Sequence, residues 1–329
     1  MGLSVGVIGT GKLGREHVRV LKRIPEVDYV GCHEIVVSRS RDVAEKFGAE
    51  AFDDVDRLIE TVDAVSVVVP TTVHLDVSLS VLDRGKHVFL EKPLAASVSE
   101  AERIIAAARS GKRVLQVGHI ERFNSAVMKA LPQIDAPSFI EIHRLAPFRP
   151  RGIDVSVIMD LMIHDLDLLF CMVGEAPVDV RAKGASVLTA EPDIVNARLE
   201  YASGCVANLT ASRISLDPMR KVRVFCEKRY VSIDLFEGRV KMAEKGPAFD
   251  STVAKLRTSS DPTDPEVMRN IVKVAEFGVD GEEPLYRELH SFCTTLLNGG
   301  APVVSGEDGL NALKLATTIQ EKVGPPVTS

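Results

Sequence analysis

The chain lacks any apolar run near the roughly 18 residues that a membrane-spanning helix needs, so no membrane role is expected. It also lacks an excess of positive charge. Its 40 Lys and Arg against 46 Asp and Glu leave a formal net charge of -6 with no long basic run, which argues against nucleic acid as a partner. The five cysteines, Cys32, Cys171, Cys205, Cys226 and Cys293, show no CxxC spacing, which disfavours disulfides and a zinc site and leaves reduced, mostly buried thiols. The start, Met1-Gly2-Leu3-Ser4-Val5, enters a strand pattern without the basic and apolar segments of a secretory signal, so the expected location is the cytoplasm.

What is present is a soluble globular composition, 45% hydrophobic and 26% charged, over 329 residues, more than one core usually organises. The first 120 residues alternate short apolar runs (5–8, 29–33, 64–69, 88–90, 114–117) with amphipathic segments near 12–24, 40–47, 74–84 and 97–110. That rhythm predicts βαβ units on a parallel sheet. After Phe123 strand-like stretches follow one another (139–146, 178–189, 194–201, 205–213, 221–227, 230–236) with one strong helix at 156–172, which predicts a mostly antiparallel sheet. Residues 244–266 hold three prolines and read as a long mobile loop; helices from 284 to 297 and from 310 to 322 close the chain.

Gly9-Thr10-Gly11-Lys12-Leu13-Gly14 follows the first strand and opens the first helix, which is the context a dinucleotide-binding turn requires. Gly9 permits the turn, Gly11 lets a pyrophosphate approach, and Gly14 brings the helix onto the sheet, where free N–H groups meet the phosphates. A purely structural glycine turn is the plainer reading. Glu34, at the end of the next strand about 20 residues on, is placed to bind the adenosine ribose, so NAD is favoured and NADP is less expected. Arg39 and Arg41 in Ser38-Arg39-Ser40-Arg41 argue the other way, as cations able to accept a 2′-phosphate, or are solvated helix residues. Pro70, Thr71 and His74 follow the third strand at the ligand-facing edge; His74 is equally a helix-start residue without a ligand. Glu91-Lys92-Pro93 ends the fourth strand, placing a fixed ammonium beside the cofactor.

In the apolar segment 156–170, Asp160, His164 and Asp167 recur at helical spacing, one polar stripe on a helix that should be buried. Unpaired, each polar group there costs on the order of 1–3 kcal/mol, so the stripe needs a partner or a cavity. A histidine one turn from a carboxylate is a natural general base; a satisfied internal network is the alternative. No second histidine shares the face, so no metal is expected.

These motifs in this order, with Gly118-His119-Ile120-Glu121-Arg122-Phe123-Asn124 and the closing Pro302-Val303-Val304-Ser305-Gly306-Glu307-Asp308, resemble the Gfo/Idh/MocA oxidoreductases over nearly the whole chain. The resemblance implies an α/β protein: a Rossmann domain over residues 1–120, and an α+β domain over 121–329 whose large open, mostly antiparallel sheet binds substrate and mediates homodimers or homotetramers. It also implies a catalytic set carried onto Lys92, Asp160 and His164, and a cis bond before Pro93. His119, Arg122 and Asn124, the run His143-Arg144-Leu145-Ala146-Pro147-Phe148-Arg149-Pro150-Arg151, and Asn208 to Arg213 are similar to a branch that oxidises UDP-N-acetylglucosamine at its 3-hydroxyl, on the way to a lipid A with a 3-amino sugar in some bacteria. Arg144, Arg149, Arg151 and Arg213 could hold a diphosphate by charge-assisted bonds, or be ordinary surface arginines. The apolar Ile35-Val36-Val37 departs from the polar residues that often follow the acid.

The expected chemistry is oxidation of a sugar or sugar-nucleotide hydroxyl. In it His164 takes the proton, Asp160 orients the imidazole, and Lys92 stabilises the alkoxide. A free sugar or polyol is the alternative substrate. A dinucleotide-sensing regulatory protein, or a glycosidase that returns its NAD unchanged, is the alternative class.

Overall fold

The computed structural model describes residues 2–148, 155–246, 249–256, 272–278 and 281–324. The chain opens with β1 (Leu3–Ile8), α1 (Lys12–Leu21), β2 (Val27–His33), α2 (Val37–Phe47), β3 (Glu50–Phe52) and α3 (Val55–Thr61). It continues with β4 (Ala64–Val67), α4 (His74–Asp83), β5 (His87–Glu91), α5 (Val98–Ser110) and β6 (Leu115–Gly118). The six strands lie in the order β3-β2-β1-β4-β5-β6, each neighbouring pair parallel. This is the Rossmann order, and its direction reverses between β1 and β4, where the strand ends form a crevice for ligands. Residues of β4 and β6 are buried on both faces, as expected of strands covered by helices on either side. Ser97 caps α5 by accepting from Glu100 N–H at 3.2 Å, while the Glu100 carboxylate accepts from Ala96 N–H at 3.2 Å.

β3 and α3 were not expected from the sequence. Three residues are too few to show alternation, and α3 is a short helix started by Asp54, whose carboxylate accepts from Asp56 N–H at 2.9 Å.

The second sheet has eight strands, β7 (Pro137–Leu145), β8 (Asp179–Ala185), β9 (Ile194–Glu200), β10 (Val206–Ser212), β11 (Met219–Cys226), β12 (Arg229–Asp234), β13 (Arg239–Lys245) and β14 (Val272–Gly278). Their order is β14-β13-β12-β11-β7-β10-β9-β8; only β7 and β10 run parallel. One face buries Ile140, Ile142, Val195, Ala197, Leu199, Val222 and Val224 at alternate positions. α6 (Ser125–Ala130) precedes this sheet, and a π-helical turn at Ile158–Met162 leads into α7 (Ile163–Val173). The loop expected over 244–266 is corrected at both of its described parts: β13 runs to Lys245, and α8 (Phe249–Leu256) is helical.

The chain parts into two compact units, Met1–Phe123 with Glu282–Thr317, and Asn124–Gly281 with Thr318–Ser329. α9 (Pro284–Asn298) therefore packs with the parallel sheet, whereas the division read from the sequence at residue 120 groups it with the other unit. Its buried stripe of Leu285, Leu289, Phe292 and Cys293 joins Val5, Val7, Val18, Leu21 and Phe89 in one core. Phe292 meets Phe89 edge to face with centroids 5.8 Å apart. α10 (Gly306–Val323) ends the described chain. Replacing Phe292 by Ala is expected to cost about 3–5 kcal/mol and lower the melting transition of the Rossmann unit, which calorimetry reads; an unchanged transition contradicts this packing.

Candidate functional site

In the first unit the strand ends β1, β2, β4, β5 and β6 bring the expected cofactor residues to one edge. Gly9 has φ of +93° and packs against β4: a Cβ there would lie 2.3 Å from the Val68 carbonyl oxygen. At Gly14 a Cβ would lie 1.8 Å from the Gly9 carbonyl oxygen, so only glycine lets α1 start this close to the turn. Gly11 has nothing within 4 Å of an added Cβ and stands at the uncapped start of α1. The turn thus has two glycines that pack and one that leaves room.

Glu34 closes the arrangement, its Oε2 accepting from the Thr10 N–H at 3.0 Å, while Gly9 N–H donates to His33 carbonyl at 2.9 Å. Thr10 is 4% exposed, and its Oγ1 has no hydrogen-bond partner among the described residues. A dinucleotide fits this cradle on observation: an open glycine at a helix start, a carboxylate at the end of the neighbouring strand and an unmatched buried hydroxyl. Arg41 is turned to Asp53 at 2.8 Å, and the buried Ser40 hydroxyl donates to the Val37 carbonyl at 2.9 Å. Lys12 and Leu13 are exposed beside Gly11, as are Pro70 and, partly, Thr71 beyond β4.

Lys92 follows β5, half-buried, and the bond from it to Pro93 is cis. Glu91 before it is 9% exposed; one carboxylate oxygen lies 3.1 Å from His17 Nε2 and the other accepts from Lys92 N–H at 3.3 Å. His17 Nδ1 is 2.8 Å from Ser66 Oγ. After Lys92, the Pro93 carbonyl sits 2.9 Å from His74 Nδ1, and the Val69 carbonyl 3.0 Å from His74 Nε2. Two buried imidazoles bracket the Lys92 turn.

In the second unit Asp160 lies in the π-helical turn, exposed, and His164 follows in the first turn of α7, half-buried. The Ile163 N–H donates to the Ile158 carbonyl, five residues back, and such turns recur at functional sites. Two arginines anchor this segment. Arg144 on β7 forks onto Asp165, with Nε 3.0 and 2.9 Å from the two oxygens and Nη2 2.7 Å from Oδ1, both residues at most 3% exposed. Arg213, after β10, donates through Nη2 to the Val155 carbonyl just before the π turn.

Residues 3–119 match the oxidoreductase family with an NAD-binding Rossmann fold, and residues 117–232 match the Gfo/Idh/MocA C-terminal domain. A UDP-N-acetylglucosamine 3-dehydrogenase of Acidithiobacillus ferrooxidans is 39% identical over 245 residues, covering 74% of this chain and 78% of its own. A solved structure of that name and organism superposes with a TM-score of 0.87 at 34% identity over 98% of each chain. A myo-inositol 2-dehydrogenase of Thermotoga maritima is 28% identical across 95% of this chain and 94% of its own. The chain belongs to the Gfo/Idh/MocA oxidoreductases. It is a dehydrogenase-type enzyme with an NAD-binding Rossmann domain, and the α/β fold read from its sequence is the family's.

Within that family framework several single residues sit otherwise than the sequence suggested. His74 is 1% exposed, and both ring nitrogens face carbonyls, so it holds the Lys92 turn and is not free for the cofactor. Glu91 likewise serves His17 and the turn. Arg144 is an internal tie whose fork faces the buried Asp165, and Arg213, 8% exposed, donates through Nη2 to the Val155 carbonyl. Asn124 caps α6, accepting from Ala126 N–H at 3.0 Å and donating to the Leu235 carbonyl at 3.1 Å. Arg122 pairs with Asp308 at 3.2 Å, and His119 is fully buried. Arg149 and Arg151 lie outside the described residues. The buried stripe of Asp160, His164 and Asp167 is corrected too: Asp160 is exposed, because the π turn shifts the helical phase before α7, and the inward acids are Asp165 and Asp167.

His17 and Asp165 were missed. His17 lies on the buried stripe Gly14, His17, Val18 and Leu21 of α1, so a polar residue inside an apolar period was the available signal. Among the described residues no group of three His, Cys, Asp or Glu is arranged to hold a metal ion, and no helix is long and apolar enough to cross a membrane. A cavity of about 320 Å³ lined by Ile105, Arg109, Arg113, Leu115, Pro302 and Ser305 lies at the amino end of β6, opposite the end that carries Gly118.

Breaking the buried fork by Arg144→Met is expected to cost about 3–5 kcal/mol by leaving Asp165 charged and unpaired, and Arg144→Met with Asp165→Leu to recover much of the loss. Denaturant midpoints of the two variants check it; equal midpoints sink it. Burial holds the His74 imidazole below its ordinary 6.5 despite the carbonyls that favour its charged form, and burial acts in the same direction on His87. The unfolded chain therefore binds protons that the folded one refuses, and stability should fall as pH drops below about 6.5. Calorimetry at pH 7 and pH 5 reads this, and His74→Gln should flatten the slope.

Proposed function

We propose that the enzyme oxidises the 3-hydroxyl of a UDP-N-acetylhexosamine with NAD, giving a keto sugar nucleotide. The reading is carried by the similarity to the Acidithiobacillus ferrooxidans enzyme over nearly the full length at a TM-score of 0.87. The preference for NAD over NADP is supported by the Glu34 carboxylate, whose charge repels a 2′-phosphate, and by Arg41, which is already paired with Asp53. Gly9 to Gly14, with Thr10 and Glu34, would hold the dinucleotide. When bound, the nicotinamide supplies the hydride acceptor.

This chain's own residues then do the rest. His164 takes the hydroxyl proton as its carbon loses hydride. Asp160 orients that imidazole and stabilises the imidazolium, while Lys92 offers its ammonium to the developing alkoxide. Association into dimers or tetramers through the half-exposed face of the eight-stranded sheet, with Glu141, His143 and Arg223, belongs to the same proposal.

A cyclic polyol is the second reading, favoured by the relative named a myo-inositol 2-dehydrogenase. NADH formation with UDP-N-acetylglucosamine and with myo-inositol, side by side, decides between them; no net NADH with any sugar would return the regulatory and glycosidase readings. His164→Ala is expected to lower turnover by roughly two to four orders of magnitude. Lys92→Met should abolish turnover yet keep NADH binding. Joint loss of binding and turnover would make Lys92 structural.

A further inference from the structure

Ser66 on β4, His17 on α1 and Glu91 at the end of β5 form a continuous polar chain inside an otherwise apolar core. Ser66 is 1%, His17 0% and Glu91 9% exposed. The imidazole is edge to face on Phe89 with centroids 5.6 Å apart, so it has no room to turn away from its two partners. The chain ends on Lys92, because the Glu91 oxygen not facing His17 accepts from the Lys92 N–H. No substrate can reach Ser66 or His17, which excludes them as nucleophile and base despite their chemical likeness to a hydrolase triad.

We propose that this Ser66–His17–Glu91 chain is a positioning device for Lys92, and that His17 is its central positioning residue. His17 Nε2 lies 3.1 Å from the Glu91 carboxylate as a close polar contact without hydrogen-bond geometry, whereas Nδ1 is hydrogen-bonded to Ser66 Oγ at 2.8 Å. The Ser66 hydroxyl can donate to a neutral ring or accept from a charged one. Either way the Ser66 bond holds the ring against Glu91, whose carboxylate is confined between the imidazole and the Lys92 turn. With one oxygen packed against His17 at 3.1 Å, the other accepts from the peptide N–H of Lys92 at 3.3 Å. Gly118 leaves the space for this: a Cβ there would lie 2.9 Å from the Glu91 carboxyl carbon. On the far side His74 secures the Pro93 carbonyl. The Lys92 backbone is thus tied on both flanks, while its ammonium extends from a rigid base. The inference rests on the role given to Lys92 above.

The test uses the full-length enzyme and the variants Ser66→Ala, His17→Phe and Gly118→Ala. The first readout needs no activity: the rate at which an amine-reactive reagent labels Lys92, followed by mass spectrometry against Lys86 of the same protein. The expected result is a severalfold change at Lys92 with Lys86 unchanged. The second is the split of kinetic constants with NAD and UDP-N-acetylglucosamine. Here kcat should fall roughly tenfold to a hundredfold, as small misplacements of a catalytic group do, while the dissociation constant for NADH, read from its own fluorescence, stays put. Unchanged Lys92 labelling and unchanged kcat in folded variants overturn the proposal. So does parallel loss of NADH affinity and kcat, which marks a general packing role. Should His17→Phe fail to fold, Ser66→Ala decides, since it removes one hydroxyl only. If the wild type forms no NADH, the substrate reading fails while the labelling result still judges the positioning of Lys92.

Discussion

A carboxylate withdrawn from solvent sets the chemistry of the Rossmann unit. Glu91 is nearly buried, and a buried charge is tolerated only when hydrogen-bonded and paired. One of its oxygens lies 3.1 Å from the His17 imidazole and the other accepts from the Lys92 N–H, so the nearly buried carboxylate is tied to the residue after it. The parallel sheet supplies the frame for this. Because every strand of the six runs the same way, the glycine turn, Glu34, His74 and Lys92 all fall at carboxyl ends and share one edge. Neither the sheet nor the network suffices alone: the first gives the level, the second the orientation.

The second unit solves a similar problem with different means. Its apolar helical segment, which carries Asp160 and His164, is tied at two points, by Arg144 of β7 and by Arg213 just after β10. The Arg144–Asp165 fork is planar and directional, which pins the azimuth of α7, whereas Arg213 holds the chain just ahead of the π turn. A buried ion pair of this kind contributes little net stability over an apolar pair. Its geometry is what an apolar contact cannot supply.

Much of this was legible in the sequence because the signals were local. The glycine turn and the strand-helix period each depend on residues close in the chain, and both reappear in the structure, with Glu34 bonded to the turn through the Thr10 N–H. The parts that were not legible depend on distant partners. Arg144 and Arg213 read as cations available to a ligand, since a sequence shows a charge but not whether Asp165 or a carbonyl already faces it. His74 read as a ligand-edge histidine for the same reason. The stripe of Asp160, His164 and Asp167 assumed an unbroken α-helical period, and a single π turn rephased it. α9 was visible as a helix, but nothing local tells that its apolar stripe closes on Phe89, some 200 residues earlier.

The division of labour within the family follows from the same contrast. The two relatives described above carry names for different substrates, a nucleotide sugar and a cyclic polyol, yet each matches most of this chain. A shared cofactor cradle cannot distinguish those substrates, so the discrimination must come from residues beyond the glycine turn and the Lys92 turn. A nucleotide sugar differs from a polyol chiefly by its diphosphate, which calls for cations with free donor edges. Arg144 directs its fork at Asp165, and Arg213 donates through Nη2 to the Val155 carbonyl.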